Sequence, residues 1–321
     1  MNKSFAGVIA LLAASAASAS AQSYPDRPIK VVVPYPAGGP TDTIARTVTQ
    51  SLSAALGQSI VIENQSGAGG RIALKQVANA PPDGYTLLLG GTNNNAITPA
   101  LYKDLEFDAV KDFAPVATIA IDRLAVVVHP PVPVNTMAEL AAYARANPGK
   151  LSAGGGVGIS PHFLLEFIRV KSGANIVFVP YRGAAPALID AIAGQIQIHS
   201  TAKSVLLPQI KSGKLRALAV EGDERWPELP DVPTLGQAGF DGFPPAIWYG
   251  LLAPAKTPPT VIAKLNTTVK ETLKSDEVKA AFAKLGLDAQ SLTPQKFGAV
   301  LVKERETWAA LAQQTGIKLT E

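Results

Sequence analysis

Short apolar runs alternate with amphipathic stretches through the first hundred residues of the chain. Ile29–Val33 is rich in β-branched residues and predicts a strand, and a helix is predicted from about Thr41 because apolar side chains then recur along one face. A second strand is predicted over Ser59–Glu63, after which Gly67–Gly70 opens another helix. Tyr85–Leu89 predicts a third strand. This order predicts a parallel sheet with helices on both faces.

The same alternation resumes after residue 123. The strands predicted there are Leu124–His129, Leu151–Ala153, Ile176–Pro180, Gln195–Ser200 and Leu215–Val220, with helices from Pro161 and over Ala184–Ala193. The rest of the chain, with helices near 259–273, 277–285 and 294–314, most simply returns to the first domain. We therefore predict an α/β fold of two lobes, each with a mixed, mostly parallel sheet flanked by helices. Lobe 1 comprises residues 22–123 and 226–321, and lobe 2 comprises residues 124–225.

The turn between the first strand and the first helix has the chemistry of an anion site. Gly38 and Gly39 let the backbone turn sharply and approach a ligand closely, and Pro40 suits a first helical position. The first amides of a helix lack intrahelical partners and lie at the positive end of its dipole. A carboxylate or phosphate is therefore a natural occupant of this turn. An ordinary turn with water on those amides is the alternative.

The N-terminal residues have the pattern of a secretory signal peptide. Lys3 supplies the positive start, Phe5–Ala17 the apolar run and Ala19–Ala21 the small-residue cleavage pattern. We predict cleavage after Ala21 and export of the mature chain.

Composition excludes several classes of partner. The formal net charge of +4 is mild and the basic residues are scattered, so no nucleic-acid or membrane surface is predicted. The chain has no cysteine, and an exported protein of this kind must therefore be held by its core alone.

Motifs for enzymatic chemistry are incomplete. No nucleotide-binding glycine pattern is complete, the three histidines have no recognised metal spacing, and we predict no cofactor and no metal. A secreted serine hydrolase is an alternative because Gly158-Ile-Ser160 resembles part of a nucleophile elbow. However, His162 stands where that motif needs glycine, and Pro161 removes an oxyanion-hole amide. Ser160 is better interpreted as a helix N-cap at the cleft.

Motifs spread over the mature chain resemble those of one protein family. They are Tyr24-Pro-Asp-Arg-Pro-Ile29, Val33-Pro-Tyr-Pro-Ala-Gly-Gly39 with Asp42 and Arg46, Glu63-Asn64, Gly67-Ala-Gly-Gly70, Pro82-Asp-Gly-Tyr-Thr86, Lys111-Asp-Phe-Ala-Pro-Val116, Val179-Pro-Tyr-Arg-Gly183, Pro230-Asp-Val-Pro-Thr234 and Trp248-Tyr-Gly-Leu251. Together they resemble the Bug family of extracytoplasmic solute receptors, the substrate-binding components of tripartite tricarboxylate transporters. The resemblance implies a Venus-flytrap periplasmic binding protein, not an enzyme, that delivers small carboxylates to a membrane permease.

The resemblance also implies which residues bind the ligand. One turn per lobe, Tyr35–Thr41 and Gly154–Ser160, would hold a carboxylate through backbone amides and bridging waters. Thr92 and Asn93 would face the cleft from lobe 1, and Tyr181–Gly183 would approach from lobe 2. The candidate ligand-binding residues are Tyr35, Ala37, Gly38, Gly39, Thr41, Thr92, Asn93, Gly158, Ser160, His162, Tyr181, Arg182, Thr201 and Lys203.

Departures from the family pattern bear on specificity. Where relatives often carry an acidic or amide residue after the strand ending near His199, this chain continues to Lys203. A lysine at the cleft wall would favour a second anionic group, so we expect a dicarboxylate, aliphatic or aromatic. Lys203 pointing to solvent is the alternative, and Arg123 and Arg182 are further candidate counter-charges.

Further expectations concern the neighbouring acid and the role of the protein. Asp42 is assigned a structural role in the first helical turn, where it can accept backbone N–H groups. The protein is expected to be a monomer. An extracytoplasmic carboxylate sensor that serves a signalling partner is the alternative to a transport receptor.

Overall fold

The computed structural model describes residues 24–102, 104–244 and 246–317. The predicted signal peptide and its cleavage site lie outside these residues. No helix within them is long and apolar enough to span a bilayer.

Strands and helices follow the predicted alternation. The described strands are β1 (Ile29–Val33), β2 (Ile60–Asn64), β3 (Thr86–Gly91), β4 (Phe113–Asp122), β5 (Leu124–Val128), β6 (Leu151–Gly156), β7 (Ile176–Tyr181), β8 (Ile198–Ala202), β9 (Arg216–Val220), β10 (Ile247–Pro254) and β11 (Asp288–Ala289). The helices are α1 (Pro40–Leu56), α2 (Arg71–Ala78), α3 (Thr98–Leu101), α4 (Met137–Ala146), α5 (Ser160–Ser172), α6 (Ala184–Ile192), α7 (Lys203–Lys211), α8 (Pro259–Thr272), α9 (Asp276–Leu285) and α10 (Pro294–Thr315). A π-helical turn over Asn93–Ile97 follows β3.

Two mixed sheets, one in each lobe, organise the molecule. The first has the order β11-β4-β10-β3-β1-β2 and the second β7-β6-β8-β5-β9. In the first sheet β1 is parallel to β2 and β3, whereas β10 is antiparallel to β3 and β4. In the second sheet β6 is parallel to β7 and β8, whereas β5 is antiparallel to β8 and β9. The two-lobed α/β fold with mixed sheets is confirmed, although parallel pairs do not predominate in either sheet.

This topology positions two turns at equivalent places. The turn after β1 leads into α1, and the turn after β6 leads into α5. Both turns lie at the carboxyl ends of strands that have parallel neighbours, where open α/β sheets bind their ligands.

The chain passes between the lobes twice. The first passage joins β4 to β5 around Arg123, and the second joins β9 to β10. One buried carboxylate joins both passages, because Glu221 accepts hydrogen bonds from the amide of Leu124 at 2.7 Å and from that of Ala246 at 3.0 Å. The lobe boundaries proposed at residues 123/124 and 225/226 stay a prediction.

Aromatic side chains pack the C-terminal helix of lobe 1 against a helix of lobe 2. The Trp308 ring on α10 lies 5.3 Å from that of Phe163 on α5 and 5.8 Å from that of Phe243, both edge-on. Phe243 in turn packs on Phe167 of α5. The helix that begins at the second turn therefore packs against lobe 1 through Phe163 and Phe167.

Two element predictions were incomplete. No strand was predicted between residues 89 and 124, but Phe113–Asp122 forms β4, which pairs along its whole length with β10. Gly154–Gly156 was assigned to a loop, but these glycines continue β6 in parallel register with Val179–Tyr181. A side chain at Gly154 would collide with the Tyr181 ring, 2.6 Å from the position of its Cβ.

Candidate functional site

The turn of lobe 1 presents the N-terminus of α1. Gly38 has a φ of +82°, which favours glycine, and Gly39 is the extended N-cap residue without a side-chain capping bond. Among the described residues, the amides of Gly39 and Thr41 have no hydrogen-bond acceptor. Ala37 is exposed, whereas Thr41 is buried. The turn therefore offers main-chain donors at the positive end of a 17-residue helix.

Asp42 holds this turn in place. Its Oδ2 accepts the Gly38 amide at 2.8 Å and Nε of Arg46 at 2.8 Å, and its Oδ1 accepts Nδ2 of Asn64 at 3.0 Å. The Asn64 amide group also donates to the carbonyl oxygen of Tyr35 at 3.1 Å. The Arg46 hydrogen bond, above all, lowers the pKa of Asp42 to about 2. The structural role predicted for Asp42 is confirmed, and the Gly38 amide is consequently already satisfied.

Tyr35 lies within the same turn. Its side chain is half-buried, and burial raises the pKa of its phenol above the ordinary value. The phenol is therefore neutral and able to donate a hydrogen bond at physiological pH.

The turn of lobe 2 is built on the same plan. Gly158 has a φ of +69°, and Ile159 is the extended N-cap residue of α5. Ser160 is thus the first residue of the helix and not its N-cap, contrary to the prediction from sequence. The amide of Gly158 donates to Nδ1 of His162 at 3.1 Å.

His162 is a buried, neutral imidazole. Its ring stacks on Phe178 of β7 with centroids 4.0 Å apart and planes inclined by 27°. Burial lowers the pKa of His162 to about 4. At neutral pH the ring therefore supplies an uncharged acceptor.

Asn93 joins the two lobes at the site. Its Oδ1 accepts both the amide of Ser160 at 3.0 Å and the hydroxyl of Ser160 at 2.9 Å. The side-chain oxygen of a lobe 1 residue therefore occupies the N-terminus of a lobe 2 helix. This is the direct polar link between candidate residues of the two lobes.

The turn that carries Asn93 and the residue that follows β1 both pack against Gly70. A Cβ on Gly70 would lie 3.2 Å from Cβ of Pro34 and 3.3 Å from Cβ of Asn94, so only glycine lets these segments approach so closely. Because Asn93 reaches Ser160, the turns after β1, β3 and β6 meet in one region.

Thr92 faces the interior of lobe 1. It is fully buried, and its hydroxyl oxygen accepts the amide of Trp248 at 3.1 Å. The indole of Trp248 donates to Oε2 of Glu304 at 2.6 Å, and burial raises the pKa of Glu304 to about 7. Thr92 thus anchors the start of the Asn93 turn to β10 in the interior of lobe 1.

The remaining lobe 2 candidates are engaged elsewhere or exposed. The Tyr181 hydroxyl donates to Oδ2 of Asp190 at 2.6 Å, and this bond, above all, raises the pKa of Tyr181 to about 12. Arg182 is exposed at the surface. Thr201 is buried within β8, where its backbone pairs with Ala125.

Two of the three candidate counter-charges, Lys203 and Arg123, are already paired. Lys203 is 4 % exposed, with Nζ 3.0 Å from a carboxylate oxygen of Glu228 and 5.4 Å from the Trp226 ring centroid. Lys203 therefore does not point to solvent, and its charge is already compensated by Glu228. Arg123 forms an ion pair with Asp288 at the first passage between the lobes.

Sequence reasoning missed the acids at the lobe passages. Burial raises the pKa of Glu221 to about 8 and that of Asp122 to about 6. Asp122 accepts the hydroxyl of Ser204 at 2.6 Å and the amide of Arg123 at 2.9 Å. Each carboxylate binds groups far away in the sequence, so no local pattern could have identified them.

The geometry gives no support to hydrolysis or metal binding. The Ser160 hydroxyl donates to Asn93, and Nδ1 of His162 is occupied by Gly158, so the two side chains do not form a nucleophile–base pair. Within the described ranges, no group of three or more His, Asp or Glu side chains could hold a metal ion.

Comparisons with known proteins agree with this architecture. Residues 44–317 match the family model described as tripartite tricarboxylate transporter family receptor. The protein BugT of Bordetella pertussis is 34% identical over 315 residues, which cover 98% of this chain and 97% of BugT.

Solved structures extend the comparison to the fold. The R. palustris protein Rpa4515, solved with adipate, is 35% identical with a TM-score of 0.84, covering 92% of this chain and 99% of that protein. MatC from Rhodopseudomonas palustris, solved with bound malate, is 32% identical with a TM-score of 0.79, covering 90% and 99%. This chain is a solute-binding receptor, not an enzyme, and it belongs to the tripartite tricarboxylate transporter receptor family that includes the Bug proteins.

Proposed function

We propose that this protein is a periplasmic receptor that binds a small organic dicarboxylate between its lobes. It acts as a monomer and delivers the ligand to the membrane permease of a tripartite tricarboxylate transporter. The leader-like residues 1–21 and the family support the periplasmic location and the permease partner.

One observation carries the proposal for the ligand. Asn93 places its side-chain oxygen on the amide of Ser160 at the N-terminus of α5, and the segment that leads to α1 lies near the same turn, because Gly70 packs between Pro34 and Asn94. A carboxylate supplies two such oxygens and a negative charge that both helix dipoles favour. On the first turn, the amides of Gly39 and Thr41 are its donors.

The choice of a dicarboxylate has separate support. Two relatives were solved with adipate and malate, and both ligands carry two carboxylates. Lys203 plays no part in this proposal because Glu228 already compensates its charge. The second carboxylate therefore binds neutral donors or the exposed Arg182.

A thermal-shift screen tests the binding proposal. Adipate, malate, citrate and monocarboxylates are compared with adipamide, the neutral diamide of adipate. A ligand at one hundred times its dissociation constant adds about 2.7 kcal/mol to the free energy of unfolding. We expect a dicarboxylate to raise the melting temperature and adipamide to leave it unchanged. Equal shifts with adipate and adipamide, or none with any carboxylate, would contradict the proposal.

Transport is tested separately. Uptake of the radiolabelled ligand found in the screen is measured in membrane vesicles that contain a tripartite tricarboxylate permease from the same organism. We expect uptake to depend on added receptor. Uptake that is unchanged by the receptor would leave binding intact but contradict the delivery role.

A further inference from the structure

Both turns contain the same local hydrogen bond. A glycine with positive φ donates its amide to the side chain four residues later: Gly38 to Asp42 at 2.8 Å, and Gly158 to His162 at 3.1 Å. Asp Oδ2 and His Nδ1 are each bonded to Cγ, so the acceptors occupy the same position relative to the backbone. The bond closes a loop around the residues that begin each helix.

We propose that His162 is a positioning residue of the binding site, which fixes the second turn by accepting the Gly158 amide as Asp42 accepts the Gly38 amide. This inference rests on the proposed function, because the turn that His162 fixes is one of the two between which the ligand is proposed to bind. His162 does not touch the ligand. It acts through Gly158, whose amide it holds within the turn.

The role requires the imidazole to be neutral, with its proton on Nε2. A protonated ring would direct an N–H group at the Gly158 amide, and two donors cannot bond each other. Stacking on Phe178 and burial keep the ring uncharged. Glu166, one turn further along α5, is paired with Arg169 at 2.7 Å, and burial alone accounts for the lowered pKa of His162.

Two substitutions separate the acceptor from the packing. His162→Asn keeps an oxygen acceptor at the position of Nδ1 but loses the stack on Phe178. His162→Phe keeps the stack but has no acceptor. If His162 only filled the core, His162→Phe would be the milder change for both stability and binding.

Adipate and malate are the probes for binding, measured by isothermal titration calorimetry at pH 7. We expect His162→Asn to bind within about threefold of the wild-type affinity and His162→Phe to bind about tenfold more weakly, the loss of one hydrogen bond. The melting temperatures should follow the opposite order, with His162→Phe above His162→Asn. If His162→Phe has both the higher melting temperature and the higher affinity, the proposal is overturned.

A measurement without ligand keeps this inference distinct from the proposed function. Hydrogen exchange is followed by NMR. The Gly158 amide should exchange slowly in the wild type and in His162→Asn, and fast in His162→Phe. The wild-type Gly158 resonance should shift with a midpoint near pH 4, whereas Gly38 should not respond until about pH 2. If neither dicarboxylate binds the wild type, the proposed function fails and the exchange pattern still decides this inference. Equal Gly158 exchange in all three proteins would refute it.

Discussion

The turns that precede α1 and α5 share a backbone plan but are completed differently. In the first, Asp42 draws Gly38, Arg46 and Asn64 together, and all of these residues belong to lobe 1. In the second, the N-terminus of α5 is completed by Asn93 of the opposite lobe. The first turn is therefore formed by its own lobe, whereas the second acquires its full set of partners only when the lobes meet.

This difference indicates how closure is linked to the site. The oxygen of Asn93 accepts two hydrogen bonds from Ser160, as a ligand carboxylate oxygen would. Lobe 1 thus contributes an open helix end of its own and an acceptor for the helix end of lobe 2. Under the proposed function, the Asn93–Ser160 contact between the lobes therefore lies where the ligand binds.

The largest effect is expected from Asp42→Ala, which removes the acceptor at the centre of the first turn. Loss of three hydrogen bonds to a buried carboxylate should lower the free energy of unfolding by about 3 kcal/mol, measured by urea denaturation. Arg46→Ala is the control, because it removes the half-exposed partner of the ion pair and leaves the Gly38 and Asn64 hydrogen bonds of Asp42 in place, so it should cost only about 1 kcal/mol. Equal losses in the two variants would mean that Asp42 acts only through its salt bridge.

The same acid predicts a pH dependence. The pKa of Asp42 is lowered to about 2, so its stabilising contribution is complete above the ordinary pKa near 3.8 and is lost as the pH falls from about 4 to 2. Asp42→Ala should lack this acid-dependent loss.

A smaller effect is expected from the glycines that turn the chain. Gly38→Ala and Gly158→Ala place a side chain at φ values of +82° and +69°, and each should cost about 1–2 kcal/mol in urea denaturation. Neighbouring glycines are matched controls. Gly39 has a φ of −78°, and a Cβ on Gly155 would meet nothing within 4 Å. Alanine at these two positions should be tolerated, and a loss there as large as at Gly38 would show that space, not backbone strain, limits the turns.

A change of about 1 kcal/mol is expected when the contact between the lobes is removed. Asn93→Ala deletes the acceptor of both Ser160 hydrogen bonds and should weaken adipate or malate binding about fivefold. Ser160→Ala keeps the backbone bond and should have a smaller effect. Small-angle X-ray scattering of the ligand-free proteins should give a larger radius of gyration for Asn93→Ala. An unchanged radius of gyration together with unchanged affinity would show that Asn93 does not help to hold the lobes together.

The smallest effect concerns the pH dependence of stability, to which Glu304 and His162 contribute in opposite directions. The pKa of Glu304 is raised to about 7. Its contribution to the free energy of unfolding is therefore complete below the ordinary pKa of 4.5 and is lost as the pH rises through 7. The lowered pKa of His162 means that its contribution is lost as the pH falls from 6.5 to 4. Glu304→Gln should therefore flatten the alkaline side of the melting-temperature profile, and His162→Asn the acid side. Identical effects of both variants on one side would contradict these assignments.

Local patterns predicted the parts of the fold that depend on local chemistry. Ile29–Val33 was predicted with its observed bounds because it is a β-branched run ended by a turn. β4 was missed because Pro115 and scattered alanines weaken its strand pattern, and only pairing with β10 makes it a strand. Gly154–Gly156 forms a strand for the same tertiary reason.

The site was predictable in position but not in its bonding. The two glycine turns and Asn93 follow strands, which a periodic pattern reveals. The partners of Lys203, Ser160 and Arg123 lie 25, 67 and 165 residues away, and no single sequence reports such contacts. Lys203 was considered a ligand contact because it follows the strand where relatives often carry an acidic or amide residue, and nothing in the sequence indicates that Glu228 lies beside it.

The most direct test of the central claim is a crystal structure of the protein with adipate or malate bound. We expect carboxylate oxygens within hydrogen-bonding distance of the main-chain amides of Gly39 or Thr41, and the same ligand in contact with the turn that precedes α5. A ligand held by side chains alone, away from both helix N-termini, would contradict the account.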